Sequence, residues 1–365
     1  MANDLLYQIA LTEIFNVGVV QAKILVEHFG NAEGIFKASK KELSSIEGIG
    51  EVKANAIKAF DDFSAAEQEV EFIEKYKIQT LFLTDIDYPK RLLNCYDSPT
   101  LLYYRGNADL NASKIINIIG TRNHTDYGKQ ITEQLVDELQ SLHVLIVSGL
   151  AYGIDAIAHK AAVQYNLPTV GVLAHGLDKI YPPQHAGLAK QMLLNGGLLT
   201  EHRKDTLPDK HNFPRRNRIV AGMSDATIVV ETAIKGGSMI TAELANGYNR
   251  DVFAVPGKVT DSKSAGCNHL IRNNKAMLLE NTEQLIEMLG WSNQKPKTRK
   301  QKELFITLTA EEQILVDLFK EKETIHIDEI FLKSGLTSSS VAAALLSLEF
   351  QNVATSLPGK MYKLI

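Results

Sequence analysis

Three regimes of hydrophobic patterning follow one another along the chain. In residues 1–66 apolar positions recur at helical spacing, as in "FNVGVVQAKILVEHFG" and "LSSIEGIGEVKANAIKAF", with glycines at the joints. Within residues 67–290, short apolar runs alternate with amphipathic stretches. The runs "KIINIIG", "HVLIVSG", "PTVGVLAHG", "GGLLTEH", "ATIVVETA" and "DVFAVPG" predict strands. Strands alternating with helices predict parallel βαβ units, and hence an α/β domain with a doubly wound parallel sheet. The polar, basic stretch around "NQKPKTRKQKE" predicts a linker over residues 291–304. Residues 305–365 give three helical patterns and then two short strands around Pro358-Gly359, the layout of a winged helix-turn-helix.

Composition narrows the class without choosing a function. A chain of 365 residues is too long for one ordinary domain, and 45% hydrophobic with 22% charged residues is ordinary for a globular protein. The formal charge of −4 excludes a polycation that coats DNA, but leaves room for a local basic patch. Cys95 and Cys267 are far apart and in no metal-ligand spacing, so neither a disulfide scaffold nor a metal site is expected. "MANDLLYQIALTEIF" lacks a basic n-region and a cleavage motif, and no apolar run approaches the ~20 residues of a membrane span. A cytoplasmic protein without a membrane partner is expected.

The predicted strands end in glycine-containing or polar turns. "IIGTRNHTDYG" supplies Thr121 and Arg122, "VSGLAYGIDAIAH" supplies Ser148, Gly149 and Asp155, and "ETAIKGGSMITA" supplies Lys235, Gly236, Gly237 and Ser238. Ligands of open α/β sheets bind outside the carboxyl ends of the strands, where these turns converge. Glycine lets backbone approach a ligand, and N–H groups at a helix start attract anions. A second signal is "KHNFPRRNRIVAGMSDA", which sets Phe213, Arg215, Arg216, Asn217 and Arg218 before an apolar helical run. Guanidinium groups suit phosphate oxygens, and Phe213 offers a stacking face. The alternative is an arginine cluster paired with carboxylates across a domain or dimer contact.

Cofactor and catalytic motifs are missing. No G-x-G-x-x-G follows the first strand of the sheet, and "KGGS" lacks the Walker spacing, so no nucleotide cofactor is expected. No H-E-x-x-H and no G-x-S-x-G occurs. Asp155 is a candidate acid or base, with helix capping as the alternative. Glu243 is likewise either catalytic or a favourable charge near a helix start.

The stretches "IIGTRNHTDYG", "VSGLAYGIDAIAH", "GLDKIYPPQH", "TEHR", "NFPRRNRIVAGMSDA", "ETAIKGGSMITAELA", "RDVFAVPGK" and "GCNHLIRNNKA" resemble, in this order, the DNA-processing protein A family (DprA, also called Smf). The resemblance covers the whole middle domain. It implies an extended Rossmann-like domain that binds single-stranded DNA without turnover, homodimerisation, and loading of the RecA recombinase during natural transformation. Matched by motif, it points to Arg122, Phe213, Arg215, Arg218, Lys235, Gly237 and Ser238 as DNA contacts. On this reading "KGGS" is expected to grip a backbone phosphate, with Lys235 supplying charge, the glycines allowing approach, and Ser238 donating a hydrogen bond. The chain departs from the family pattern at His185, usually asparagine, and at Gly236-Gly237-Ser238, often Ser-Gly-Ser. "GGSMITAE" also resembles, distantly, the Gly-Gly-x-Gly-Thr turn of Rossmann-like nucleoside monophosphate hydrolases, the alternative function, but lacks its third glycine.

"LSSIEGIGEVKANAIKAF" resembles a helix-hairpin-helix, with "NVGVVQAKILVEHFG" a looser copy, so the first domain is expected to be helix-hairpin-helix/SAM-like. Its turns suit either phosphate binding or protein docking, with only Lys53 and Lys58 nearby. The expected recognition helix of the winged domain, "TSSSVAAALLSLEFQ", has no Lys or Arg, which predicts a protein-contact or autoinhibitory role rather than duplex reading.

Overall fold

A computed structural model describes residues 2–292 and 308–365, which form two compact units, 1–278 and 279–365. The expected linker at 291–304 lies almost wholly outside the described residues.

The first unit begins with helices α1 (Ala2–Leu11), α2 (Val19–Phe29), α3 (Ala32–Lys37), α4 (Lys40–Ser45), α5 (Gly50–Lys58) and α6 (Ser64–Tyr76). Gly48 and Gly50, at φ +83° and +64°, make the hairpin between α4 and α5, a conformation that costs glycine little. Lys53 Nζ donates to Gly48 O at 3.1 Å, and Lys58 Nζ to Phe36 O and Ala38 O at 2.7 and 3.0 Å. Both lysines are therefore engaged in holding the module's own backbone.

The sheet contains β1 (Gln79–Phe82), β2 (Leu101–Gly106), β3 (Ile115–Ile119), β4 (Leu145–Ser148), β5 (Thr169–Val172), β6 (Gly196–Thr200), β7 (Ala226–Val229), β8 (Asp251–Ala254) and β9 (Met277–Leu278). Its order is β1-β2-β6-β5-β4-β3-β7-β8-β9. From β3 the chain winds outward through β4, β5 and β6, then returns and winds the other way through β7, β8 and β9. The switch point lies between β3 and β7. All six strands read from the sequence are present. The sequence reading lacked β1, β2 and β9; β1 and β2 make the edge antiparallel, so the sheet is mixed. Every side chain of β3 and β4 is buried, as expected of strands covered on both faces.

Between the strands run α7 (Lys90–Leu93), α8 (Asp126–Glu138), α9 (Ile154–Gln164), α10 (Ala186–Met192), α11 (Asn212–Gly222), α12 (Gly237–Gly247) and α13 (Ala265–Arg272). Asn117, buried within β3, donates to Thr227 Oγ1 at 2.8 Å and to Val220 O at 3.2 Å, fixing α11 over the switch point. One apolar core joins the helical module to this sheet.

The second unit holds α14 (Thr282–Met288), α15 (Ala310–Glu321), β10 (Ile325–His326), α16 (Ile327–Ser334), α17 (Ser338–Phe350), β11 (Ala354–Leu357) and β12 (Met361–Leu364), with sheet order β10-β12-β11. This is a winged helix with its own core of Leu315, Phe319, Ile330, Leu345 and Leu348. On α17, which carries no Lys or Arg, Leu346 and Phe350 are 54% and 79% exposed. No single described helix is long and apolar enough to cross a membrane.

Candidate nucleic-acid interface

A cleft of about 330 Å³ opens at the switch point, between the carboxyl ends of β3, β4 and β7. It is built from the turns that the sequence singled out. After β3 come Thr121 and Arg122, after β4 Gly149, and after β7 Lys235, Gly236, Gly237 and Ser238, with Phe213 and Asn217 contributed by α11.

The β3 turn is held from below. Thr121 N donates to Glu231 O at 2.7 Å, and the buried Glu231 carboxylate accepts from Thr125 N at 2.9 Å and from the Thr125 hydroxyl. Gly153, at φ +80°, lets the start of α9 come against this turn; a Cβ there would stand 2.6 Å from Arg122 O. Arg122 is exposed, and its guanidinium carbon lies 5.6 Å from the centre of the Phe213 ring. This contact holds the arginine at the cleft mouth.

The floor carries Arg216, a member of the sequence's arginine block that is missing from the DNA contacts matched by motif. Arg216 is 5% exposed and donates to Gly149 O at 2.5 Å, to Val172 O, and to Asn217 Oδ1 at 3.1 Å. It thereby ties the ends of β4 and β5 to α11. Burial, opposed by the nearby Asp155, lowers its pKa to about 10. Asp155 is buried too: Oδ2 accepts from Gly149 N at 3.1 Å, and desolvation raises its pKa against the pull of Arg216. Asp155 thus organises the β4 turn from within the first turn of α9, whose N-cap is Gly153, so the expected capping role is not the one it takes. A Cβ on Gly149 would sit 2.6 Å from the Arg216 guanidinium carbon and 2.8 Å from Asp155 Oδ2, so only glycine fits between them.

The "KGGS" turn differs from expectation in one respect. Ser238 is buried, and its hydroxyl donates to Thr232 Oγ1 at 2.7 Å. Its proton is spent inside the protein. The donors left for a ligand are the N–H groups of Gly237 and Ser238, at the start of α12, which have no acceptor within the helix. Asn217 Nδ2 donates to Gly237 O at 3.3 Å and anchors the turn to α11. Gly237 has a negative φ, and nothing stands within 4 Å of where its Cβ would be. Neither strain nor internal packing demands glycine here; what profits is an outside group approaching the helix start.

Three of the sequence candidates do not join this cleft. Ser148 is fully buried, and its hydroxyl donates to Ile118 O at 2.6 Å, stitching β4 to β3. Arg218 is 8% exposed, pairs with Glu201, and donates to Asp97 O at 2.6 Å; it is paired with a carboxylate as the alternative expected, but within the sheet domain rather than across a domain or dimer contact. Arg215 is exposed on the far side of α11. Helical periodicity is the reason: Phe213, Arg216, Asn217 and Val220 share one face, while residues 215 and 218 fall on the opposite one. Among the remaining candidates, Glu243 is exposed and pairs with Lys275 at 3.5 Å. His185 packs edge-on against Tyr152, with Nδ1 2.9 Å from Leu150 O. Among the described residues, no cluster of His, Cys, Asp and Glu is placed to hold a metal.

Comparison with known proteins agrees with this architecture. The family model for DNA recombination-mediator protein A matches residues 79–290, a DprA winged helix model matches 296–360, and a helix-hairpin-helix model matches 9–70. Protein Smf of Synechocystis is 32% identical over 401 aligned positions covering 100% of both chains. DNA processing protein DprA of Bacillus subtilis is 40% identical over 217 positions, 59% of this chain and 73% of that one. The X-ray structure of DprA from Streptococcus pneumoniae superposes with a TM-score of 0.67 at 32% identity, covering 77% of this chain and 96% of that one. A Helicobacter pylori DprA structure, described for its single-stranded DNA binding mode, superposes with a TM-score of 0.53 at 34% identity, over 59% of this chain and 98% of that one. By sequence over its full length and by fold, the chain belongs to the DprA/Smf family of DNA recombination mediators.

Proposed function

We propose that this chain binds single-stranded DNA in the switch-point cleft, shields it, and loads RecA onto it during natural transformation, acting as a cytoplasmic homodimer. One observation carries the binding step: two exposed cations, Arg122 and Lys235, flank the open start of α12, where Gly237 leaves room for a phosphate. A phosphate seated there accepts from the N–H groups of Gly237 and Ser238, with Lys235 neutralising it and the helix dipole adding favourable polarity. Arg122 takes the next phosphate, and the Phe213 ring beside it offers a base a stacking surface. Thr121, Gly149, Gly236 and Asn217 shape the walls, and Arg216 holds the floor.

A polynucleotide suits this cleft better than a mononucleotide, because the two cations at its mouth serve successive backbone phosphates. The handover to RecA, the homodimer and the tie to transformation are supported by family membership. The test compares the affinities of single-stranded DNA, duplex DNA and mononucleotides for the wild type and Arg122→Ala. The expected order is single strand, then duplex, then mononucleotide, with the variant losing most on the single strand. Tighter mononucleotide binding, or release of base or phosphate from a mononucleotide, would overturn the reading.

A further inference from the structure

α11 stands between two clefts. Arg215 and Arg218, on the face turned away from the first, line a second cleft of about 810 Å³. Its walls are residues 201–206 after β6, Asp97 and Thr100 before β2, and the turn from α1 into α2, including Gly18, Val19, Val20 and Gln21.

The charges there largely cancel. Three arginines (203, 215 and 218) face three carboxylates, of which Glu13 pairs with Arg203 and Glu201 with Arg218, while Asp97 accepts from the Tyr248 hydroxyl at 2.7 Å. Arg215 is exposed and has no hydrogen bond or ion pair among the described residues. Two buried polar atoms are left without partners, Glu201 Oε1 and His202 Nε2. Burial first, then Arg215 and Arg218, lower the His202 pKa to about 4, so its ring is neutral at pH 7. At the opposite wall, Gly18 N is capped by Gln21 Oε1 at 3.2 Å. The N–H groups of Val19 and Val20 have no acceptor within α2. Phe15, in the turn that leads into α2, is 82% exposed.

We propose that this second cleft continues the strand path. Single-stranded DNA leaving the first cleft crosses the exposed first turn of α11, where Arg215 takes the crossing phosphate. The next nucleotides lie between the start of α2 and the segment after β6 that carries His202, Arg203 and Thr206. The inference rests on the strand-binding reading of the first cleft and extends the site onto the helical module.

Fluorescence anisotropy on the full chain tests it, using labelled oligodeoxynucleotides of about 6 and about 16 nucleotides, both within the roughly 4–16 nucleotides covered by a single OB-fold. The variants are Arg215→Ala and Val20→Asp. The second places a carboxylate at a helix start, which favours the helix while repelling phosphate, so misfolding does not mimic the effect. The wild type is expected to bind the long strand about tenfold more tightly than the short one. Both variants leave the short strand within about twofold and weaken the long one by about five- to tenfold, and Arg215→Ala flattens the long-strand salt slope by about 0.7. Equal losses on both lengths, or none on either, overturn the proposal. A wild type that binds the short strand and gains nothing with length refutes the second cleft alone; one that binds neither strand refutes both clefts.

Discussion

Removing Arg122 and Lys235 separately and together isolates the electrostatic part of strand binding. Both are exposed, and they are the two exposed cations among the residues lining the first cleft, since Arg216 is sealed beneath it. A single-stranded backbone contributes about 0.7 to the slope of log K against log salt per phosphate neutralised. Each single alanine variant should flatten the slope by about 0.7, and the double variant by about 1.4. A charge-assisted hydrogen bond contributes about 1.5–3 kcal/mol, so each single change should weaken binding by about ten- to a hundredfold at low salt. Arg122→Ala should fall toward the stronger end, because it also abandons the Phe213 ring, a contact of about 0.5–1 kcal/mol at an exposed site. Equilibrium anisotropy titrations over a range of salt concentrations measure both quantities on one oligonucleotide. Thermal unfolding serves as the control, since surface changes of this kind stay within about 0.5 kcal/mol. A double variant with the wild-type slope would show that these side chains do not meet phosphates, and the reasoning from cleft geometry would fail.

Gly149→Ala forces a methyl between Arg216 and Asp155; it should destabilise the protein by about 1–3 kcal/mol and weaken strand binding, with urea unfolding as the measure and unchanged stability as the refutation. Ser238→Ala should leave the salt slope unchanged, because the hydroxyl proton is already bound by Thr232; a flattened slope would mean that the hydroxyl turns toward DNA. His159 is fully buried, and burial lowers its pKa to about 3. As pH falls below the ordinary histidine value of 6.5, the unfolded chain takes up a proton that the folded chain refuses, so stability is lost down to about pH 3. Replacing it with glutamine should flatten that loss by up to about 1.4 kcal/mol per pH unit, read from urea midpoints across the range. Phe350→Ala, at a side chain 79% exposed on α17, which lacks Lys and Arg, should leave duplex affinity and its salt dependence unaltered in gel-shift titrations; a loss would return a DNA-reading role to the winged helix.

The sequence by itself determined a good deal of this protein. Apolar runs such as Ile115–Ile119 and Leu145–Ser148 identify their strands because both faces are buried and every side chain must be apolar or internally bonded. Gly48, Gly149 and Gly153 mark turns because only glycine tolerates their φ or their crowding. The antiparallel edge was hidden: β1 and β2 join the sheet through pairing across long sequence distances, and four to six residues carry no signal of which neighbour they will find. The arginine block shows the same limit within a single helix. Residue type placed Arg215, Arg216 and Arg218 together as phosphate binders. Only the docking of α11 decided that Arg216 would be sealed under the first cleft, Arg218 neutralised by Glu201, and Arg215 left exposed beside the second. Local pattern fixes which element a residue occupies, whereas the partners that neutralise or expose its charge come from distant segments and exist only once the chain has packed.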